Sequence, residues 1–133
     1  MIESFERLLG GENPWVTLGD FLDDWRRSQP IDRSTLVEQP LREVTSLEEG
    51  RWAALYAAAV EQLCAQENFP APSWVTSKQY YLSVPWYPGV KTENLRRLYE
   101  ETTPEIFKQH NILAGDRLLQ LSNIDRMGCA AKM

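Results

Sequence analysis

The stretch SLEEGRWAALYAAAVEQLCAQEN, residues 46–68, predicts the longest helix of this chain and through it the fold class. Ser46 and Glu49 match a capping box, in which two residues satisfy each other's hydrogen-bonding groups at the start of a helix. Apolar residues then recur at helical spacing, and five alanines between 53 and 59 leave room for close approach of a second helix. Because apolar residues occupy more than one face, we expect this helix at the centre of the core.

Shorter helices are predicted before this stretch. Residues 2–9 place their apolar side chains on one face and end at two glycines, which readily adopt helix-ending geometry. A second helix is predicted to begin at Thr17, with Asp20 in the capping-box position, and to stop at Pro30. The apolar face of this helix is predicted to consist of Leu18, Phe21, Leu22 and Trp25. A third, over 32–40, is predicted to start at Asp32 as its cap.

Helical signals also dominate the second half of the chain. A short helix is predicted over 76–82, capped by Thr76 or Ser77, and a second helix is predicted to be capped by Thr92, with Leu95, Leu98 and Tyr99 inward. A third helix is predicted over 103–111, with Thr103 as N-cap and Pro104 as its first residue. A short helix or strand is predicted within 112–121. The chain is therefore predicted to be all-α. We expect a single compact domain of five to seven short helices over 1–125, with long Pro/Trp-rich connectors, and a flexible tail over 126–133.

The connector 69–89 differs in composition from the helices. It holds four of the eight prolines and six of the fourteen aromatic residues, so continuous regular structure is not expected there. Aromatic side chains each bury ~150–250 Å², which favours a segment that plugs the core, with Tyr81 and Trp86 inward and Tyr87 nearer solvent. The alternative is a recognition surface centred on the tip Trp86–Gly89.

Charge favours some partners over others. The net charge is −5, and residues 1–50 hold 11 acids and 5 bases. This balance disfavours a nucleic-acid partner and suits a basic partner protein, although solubility alone also explains it. Asp20, Asp23 and Asp24 lie on the second predicted helix, where they form either a solvated acidic face or part of a partner-binding surface. Hard cations need more oxygen ligands than these, so no metal is expected, and no motif indicates a cofactor.

Localisation is predicted from what the sequence lacks. It has neither a long apolar span nor a basic region followed by an apolar run at the N-terminus, so we expect a cytoplasmic protein with no membrane association. Cys64 and Cys129 form no zinc-binding pattern and are predicted to be reduced thiols, one of them buried. A homo-oligomer is compatible with the sequence.

His110 is the one histidine and lies at the predicted end of the 103–111 helix. There a protonated imidazole is favoured by the helix dipole, so a structural role is sufficient. The alternative is a small enzyme or ligand-binding domain in which His110 acts with an acid such as Asp20 or Asp24. A nucleic-acid-binding regulator is a second alternative, which the charge disfavours.

Several motifs within residues 51–113 resemble a family of small uncharacterised bacterial helical proteins. The matching residues are Pro72 and Trp74 in a P-x-W turn, Pro85 to Pro88 in a PWYP loop, and Pro104, Phe107, Asn111 and Ile112 in a PxxFxxxNI pattern. The resemblance implies a separately encoded partner, a predicted nucleotidyltransferase, in an arrangement similar to toxin–antitoxin pairs. It assigns no catalytic residue.

The leading hypothesis is a non-enzymatic protein-binding module, the antitoxin-like or regulatory component of a bacterial two-gene system. Trp86 and Tyr87, together with Asp20, Asp23 and Asp24, are the predicted partner-binding residues. They would act by covering a basic surface of the partner.

Overall fold

A computed structural model describes residues 1–121 of the chain and shows that they are helical. The α-helices are α1 (Ile2–Leu9), α2 (Pro14–Arg27), α3 (Pro30–Leu36), α4 (Leu47–Gln66), α5 (Glu93–Thr102) and α6 (Glu105–Gln109), with 3-10 turns at Ser73–Thr76, Lys78–Tyr80 and Leu118–Gln120. No strand occurs within residues 1–121, so the all-α class and the predicted number of helices are confirmed. The predicted tail 126–133 lies outside the described residues.

Contacts between Cα atoms divide the chain into two compact units. The first unit comprises Met1–Leu41 together with the described residues from Leu119 onward, and the second unit is Arg42–Leu118. The single domain expected over 1–125 stays a prediction. Within residues 1–121, no helix is both long and apolar enough to cross a bilayer.

The first unit is built on the packing of α1 against α2. Its core is the apolar stripe predicted on each helix, and Phe21 is fully buried. Helix α2 begins earlier than predicted, because the Asn13 side chain accepts a hydrogen bond from the Trp15 backbone and Pro14 takes the first helical position. The predicted cap, Thr17, instead lies inside the helix and donates to the Pro14 carbonyl at 3.0 Å.

Helix α3 is held mainly by one cation. Pro30 begins this helix rather than stopping the previous one, and Asp32 lies in its first turn instead of capping it. All residues of α3 remain at least partly exposed. Arg33 anchors it, since its Nε donates to the Trp25 carbonyl at 2.9 Å and its guanidinium lies 5.4 Å from the Trp25 ring centroid.

Helix α4 is the core element of the second unit, as predicted. Ser46 accepts from the Glu49 backbone N–H at 3.1 Å, which confirms it as the cap of this helix, and its hydroxyl also donates to the Glu49 carboxylate. Every residue from Trp52 to Val60 is buried. Within this unit, the turns Ser73–Thr76 and Lys78–Tyr80 and helix α6 pack on α4.

Thr103 joins the end of α5 to a later segment. Its hydroxyl donates to the Tyr99 carbonyl at 2.5 Å and accepts from the Gly115 backbone at 2.9 Å. The prediction that Thr103 caps α6 is therefore wrong, because its oxygen is already committed to these two groups. Pro104 occupies the cap position instead of the first helical position. The Thr92 cap of α5 is confirmed, with its hydroxyl accepting from Leu95 at 3.2 Å.

Two glycines should respond in opposite directions to substitution by alanine. Gly115 has a φ of +80°, and a Cβ there would lie 2.9 Å from the Tyr99 ring, so Gly115→Ala should lower the free energy of unfolding by about 1–3 kcal/mol. Gly50 lies inside α4 with open space around its Cβ position, so Gly50→Ala should raise it by about 0.5–1 kcal/mol. Urea denaturation checks both, and an effect of the same sign in the two variants would contradict the assignment.

Candidate functional site

The residues that follow α6 hold the aromatic loop 81–88 by its backbone. Leu82 donates to the His110 carbonyl at 3.1 Å, and Trp86 donates to the Asn111 carbonyl at 2.9 Å. Leu113 donates back to the Trp86 carbonyl at 2.8 Å, which completes a parallel bridge between Trp86 and Ile112. The loop is therefore fixed by a segment distant in sequence rather than by regular structure of its own.

Asn111 makes the turn that allows this bridge. Its φ is 67°, a left-handed conformation that asparagine tolerates better than most residues, and its side chain donates to the Leu82 carbonyl at 2.8 Å. Phe107 and Ile112 on either side are buried. The spacing of Phe107, Asn111 and Ile112 thus has an architectural explanation.

Trp86 and Tyr87, the predicted partner-binding aromatics, are both half-buried. Trp86 packs edge-on against Trp52, with ring centroids 5.1 Å apart. Tyr87 donates to the Glu100 carboxylate at 2.6 Å, and this hydrogen bond raises the pKa of Tyr87. The Arg96 guanidinium lies 4.6 Å from the Tyr87 ring centroid, so the loop tip is tied to α5.

The expectation that Tyr81 points inward is wrong. Tyr80 is the buried member of the pair and packs edge-on against Trp74 with ring centroids 5.7 Å apart, whereas Tyr81 is 37% exposed. The reason is that Tyr80 ends the 3-10 turn that packs on α4, while Tyr81 has extended backbone with φ −108° and ψ 105°. Adjacent side chains diverge at such a junction.

His110 is fully enclosed by its partners. Its Nδ1 lies 2.7 Å from the Tyr80 carbonyl oxygen, its Nε2 lies 2.9 Å from Glu61 Oε1, and the Tyr81 ring stacks on it at 4.2 Å. Because a carbonyl oxygen only accepts, Nδ1 carries a proton, and the contact with Glu61 needs a second proton between Nε2 and the carboxylate. The partner of His110 is therefore Glu61, where sequence reasoning named Asp20 or Asp24.

Each predicted acidic site residue binds an arginine in the first unit. The pairs are Asp20 with Arg7 at 2.6 Å, Asp23 with Arg26 at 2.9 Å, and Asp24 with Arg27 at 2.7 Å. The expectation that Asp23 belongs to a solvated face is wrong, since it is buried. Arg26 lies over it and also donates to the Leu119 carbonyl, a contact that sequence alone does not reveal. The hydrogen bonds to Glu12 and Asp20 raise the pKa of Arg7.

Helix α5 has an apolar face that is only partly covered. The structure describes all ten of its residues, and none is buried. The prediction that Leu98 lies inward is wrong, because it is 49% exposed. Leu95 and Tyr99 are half-buried, and the Tyr99 ring packs on Gly115.

Sequence reasoning missed several residues of these contacts. Glu61 carried a usable signal, since it is a single acid between Val60 and Leu63 in the apolar part of α4. Buried or half-buried acids of that kind usually have a partner. Arg96 and Glu100 carried no signal, because their partner Tyr87 belongs to a different element.

Residues 1–121 hold one buried thiol and no cluster of metal ligands. No group of three or more His, Cys, Asp or Glu side chains there could hold a metal ion. Cys64 is a free buried cysteine, which confirms the prediction of one buried thiol. Burial is the larger cause and the negative charge of Glu67 the smaller cause that raise the pKa of the Cys64 thiol to about 11. Cys129 lies outside the described residues.

Comparison of this chain with models of protein families, with curated proteins and with solved structures found no match. The family resemblance therefore depends on the motifs within residues 51–113 alone and stays a prediction.

We expect His110→Ala to lower the free energy of unfolding by about 3 kcal/mol. The change leaves a cavity and removes partners from both Glu61 and the buried Tyr80 carbonyl. Gln109→Ala, one position earlier and exposed, is the matched control and should change stability by less than about 0.5 kcal/mol. Chemical denaturation of both variants checks this, and a His110→Ala protein as stable as wild type would show that the enclosed imidazole is not structurally important.

Cys64 should be unreactive in the folded protein. In a Cys129→Ser variant, a thiol reagent such as Ellman's reagent at pH 8 should label Cys64 at least about 100-fold more slowly than in urea, because the thiolate is the reactive form and burial disfavours it. Absorbance at fixed reagent concentration gives both rates. Equal rates would contradict the buried placement.

Proposed function

We propose that this chain is a non-enzymatic protein-binding module, the antitoxin-like or regulatory component of a bacterial two-gene system. The observation that carries the proposal is helix α5, whose apolar face is only partly covered, with Leu98 49% exposed. An amphipathic helix gains most of its stability from packing that face, so a partner would supply contacts that the isolated chain lacks.

The aromatic loop supports the same surface. Tyr87 is linked to α5 through Glu100 and Arg96, and Val84 in the loop is 63% exposed. Aromatic and arginine side chains of this kind are enriched among the residues that dominate binding energy in interfaces. We call α5 together with Val84 and Tyr87 the docking surface.

Charge indicates the kind of partner. The chain has a net charge of −5, which complements a protein with a basic contact surface and would speed its association. The motif resemblance suggests a predicted nucleotidyltransferase encoded beside this chain. Asp20 and Asp24 contribute less to this proposal than expected, because each is already paired with an arginine.

A small enzyme that uses His110 is less well supported. Glu61 does give His110 the carboxylate partner that a general base requires. However, His110 has no exposed surface and both ring nitrogens are engaged, so a substrate would first have to displace Tyr81. The net negative charge likewise disfavours a nucleic-acid-binding regulator.

Binding to the product of the adjacent gene tests the proposal. The nucleotidyltransferase-like protein should bind the wild-type chain in calorimetric titration, and Leu98→Asp should weaken binding at least about tenfold, because a buried charge replaces an apolar contact. Raising the NaCl concentration should also weaken binding to a basic partner.

Ile31→Asp is the matched control, since Ile31 is 82% exposed but belongs to α3 in the other unit. It should leave the affinity within about twofold of wild type, and both variants should keep the wild-type melting temperature because neither side chain is buried. No binding by the wild-type chain, or equal affinities for Leu98→Asp and wild type, would refute the proposal.

A further inference from the structure

The second unit contains an open-sided cavity beside the N-terminal half of α4. Its volume is about 200 Å³, and it is lined by Glu43, Val44, Gly50, Ala53, Gln79 and Tyr80. An engineered cavity of about 150 Å³ is sufficient to bind benzene in another protein, so this one is large enough for a small organic group.

Gly50 widens the cavity at a cost to α4. Glycine inside a helix is less favourable than alanine, and here no positive φ requires it. A Cβ at Gly50 would meet no described atom within 4 Å, so close packing does not require glycine either. The remaining physical consequence of glycine is that this wall of the cavity carries no side chain.

The polar groups of the cavity favour a cation. Glu43 is exposed, and no described cation is paired with it. The pKa of the Tyr80 phenol is raised mainly by burial, and the negative charge of Glu43 is a lesser cause of the same shift. Gln79 and Tyr80 line the same cavity as Glu43, so a residue with an amide and one with a phenol border the same space as the carboxylate.

The helix dipole does not oppose a cation strongly at this position. The positive end of α4 is offset by Glu48 and Glu49 in the first turn, and Ser46 caps a free backbone N–H. Apolar contact is available from Val44 and Ala53, which can cover a hydrocarbon chain.

We propose that this cavity binds an ammonium or guanidinium group at the end of a short aliphatic chain. The charged head pairs with Glu43 and donates to the oxygens of Gln79 and Tyr80, while the stem lies against Val44, Ala53 and the open surface of Gly50. A free small amine and a lysine or arginine side chain of another protein share this chemistry. The inference does not depend on the docking surface.

Nuclear magnetic resonance titration of the full chain tests the site with butylguanidinium and butylammonium chloride as probes. Ligands of about five to eight non-hydrogen atoms bind at about millimolar concentration, so the probes should shift the amide signals of Gly50, Ala53 and Gln79 saturably in that range. Butanol, which has the stem without the charge, should bind at least about fivefold more weakly, because it cannot pair with a carboxylate.

Two variants and one control locate the probe. Glu43→Gln should weaken binding at least about fivefold, and the control Glu101→Gln, which removes an equal charge from the exposed surface of α5 outside the cavity lining, should change it less than twofold. Gly50→Leu should abolish binding by filling the space. The variant should stay folded by circular dichroism, because a Cβ at this position meets no described atom within 4 Å and leucine favours a helix more than glycine does. Folding is thereby monitored separately from binding.

The outcomes are distinct. Absence of saturable shifts at about 100 mM probe, equal binding of butanol, or equal losses in Glu43→Gln and Glu101→Gln would each overturn the proposal. A blocked peptide, acetyl-Gly-Arg-Gly-amide, distinguishes the two sources of the cation. Binding of the peptide at least as tight as that of butylguanidinium supports a protein side chain, and selective binding of the free cation supports a small molecule.

Discussion

The enclosed imidazole of His110 is the contact on which the second unit depends most. It bonds to Glu61 on α4 and to the Tyr80 carbonyl, which are 49 and 30 residues away in sequence. The backbone that follows it then supplies hydrogen bonds to the aromatic loop. That loop contains prolines at 85 and 88, so it cannot satisfy its own polar groups by forming regular structure, and another segment has to provide the partners. One short segment after α6 thus joins the central helix to the loop.

The elements outside this arrangement carry the proposed functions. Helix α5 is attached through Tyr87 and through its own half-buried Tyr99, while Leu98 on the same helix leaves apolar surface available to a partner. The cavity lies beside the first turns of α4, where the buried segment of this helix begins. Binding at either place need not disturb His110, because neither uses its ring nitrogens.

Local sequence rules identified most helices and failed where a residue had a distant partner. The Ser46 and Thr92 caps were predictable because a helix cap involves neighbours three residues apart. Thr103 follows the same pattern yet bonds to Tyr99 and Gly115, and Asn13 with Pro14 was the better start signal for α2 than Thr17. Of the candidate site, the aromatic loop was located from composition, but the direction of each ring was not. Tyr80 and Tyr81 are adjacent, and only the packing of the preceding turn on α4 decides which of them is buried.

By itself, the sequence determined the all-α class, the central place of the alanine-rich helix and the irregular character of the 69–89 segment. Helical periodicity, capping residues and proline act over a few residues, so they can be read without the fold. Only the tertiary structure decided that His110 pairs with Glu61, that Asp23 is covered, that Leu98 is exposed and that Gly50 opens into a cavity. Each of these depends on which distant segments come together, and the free energy of those contacts comes from burial and hydrogen bonding that no local pattern records.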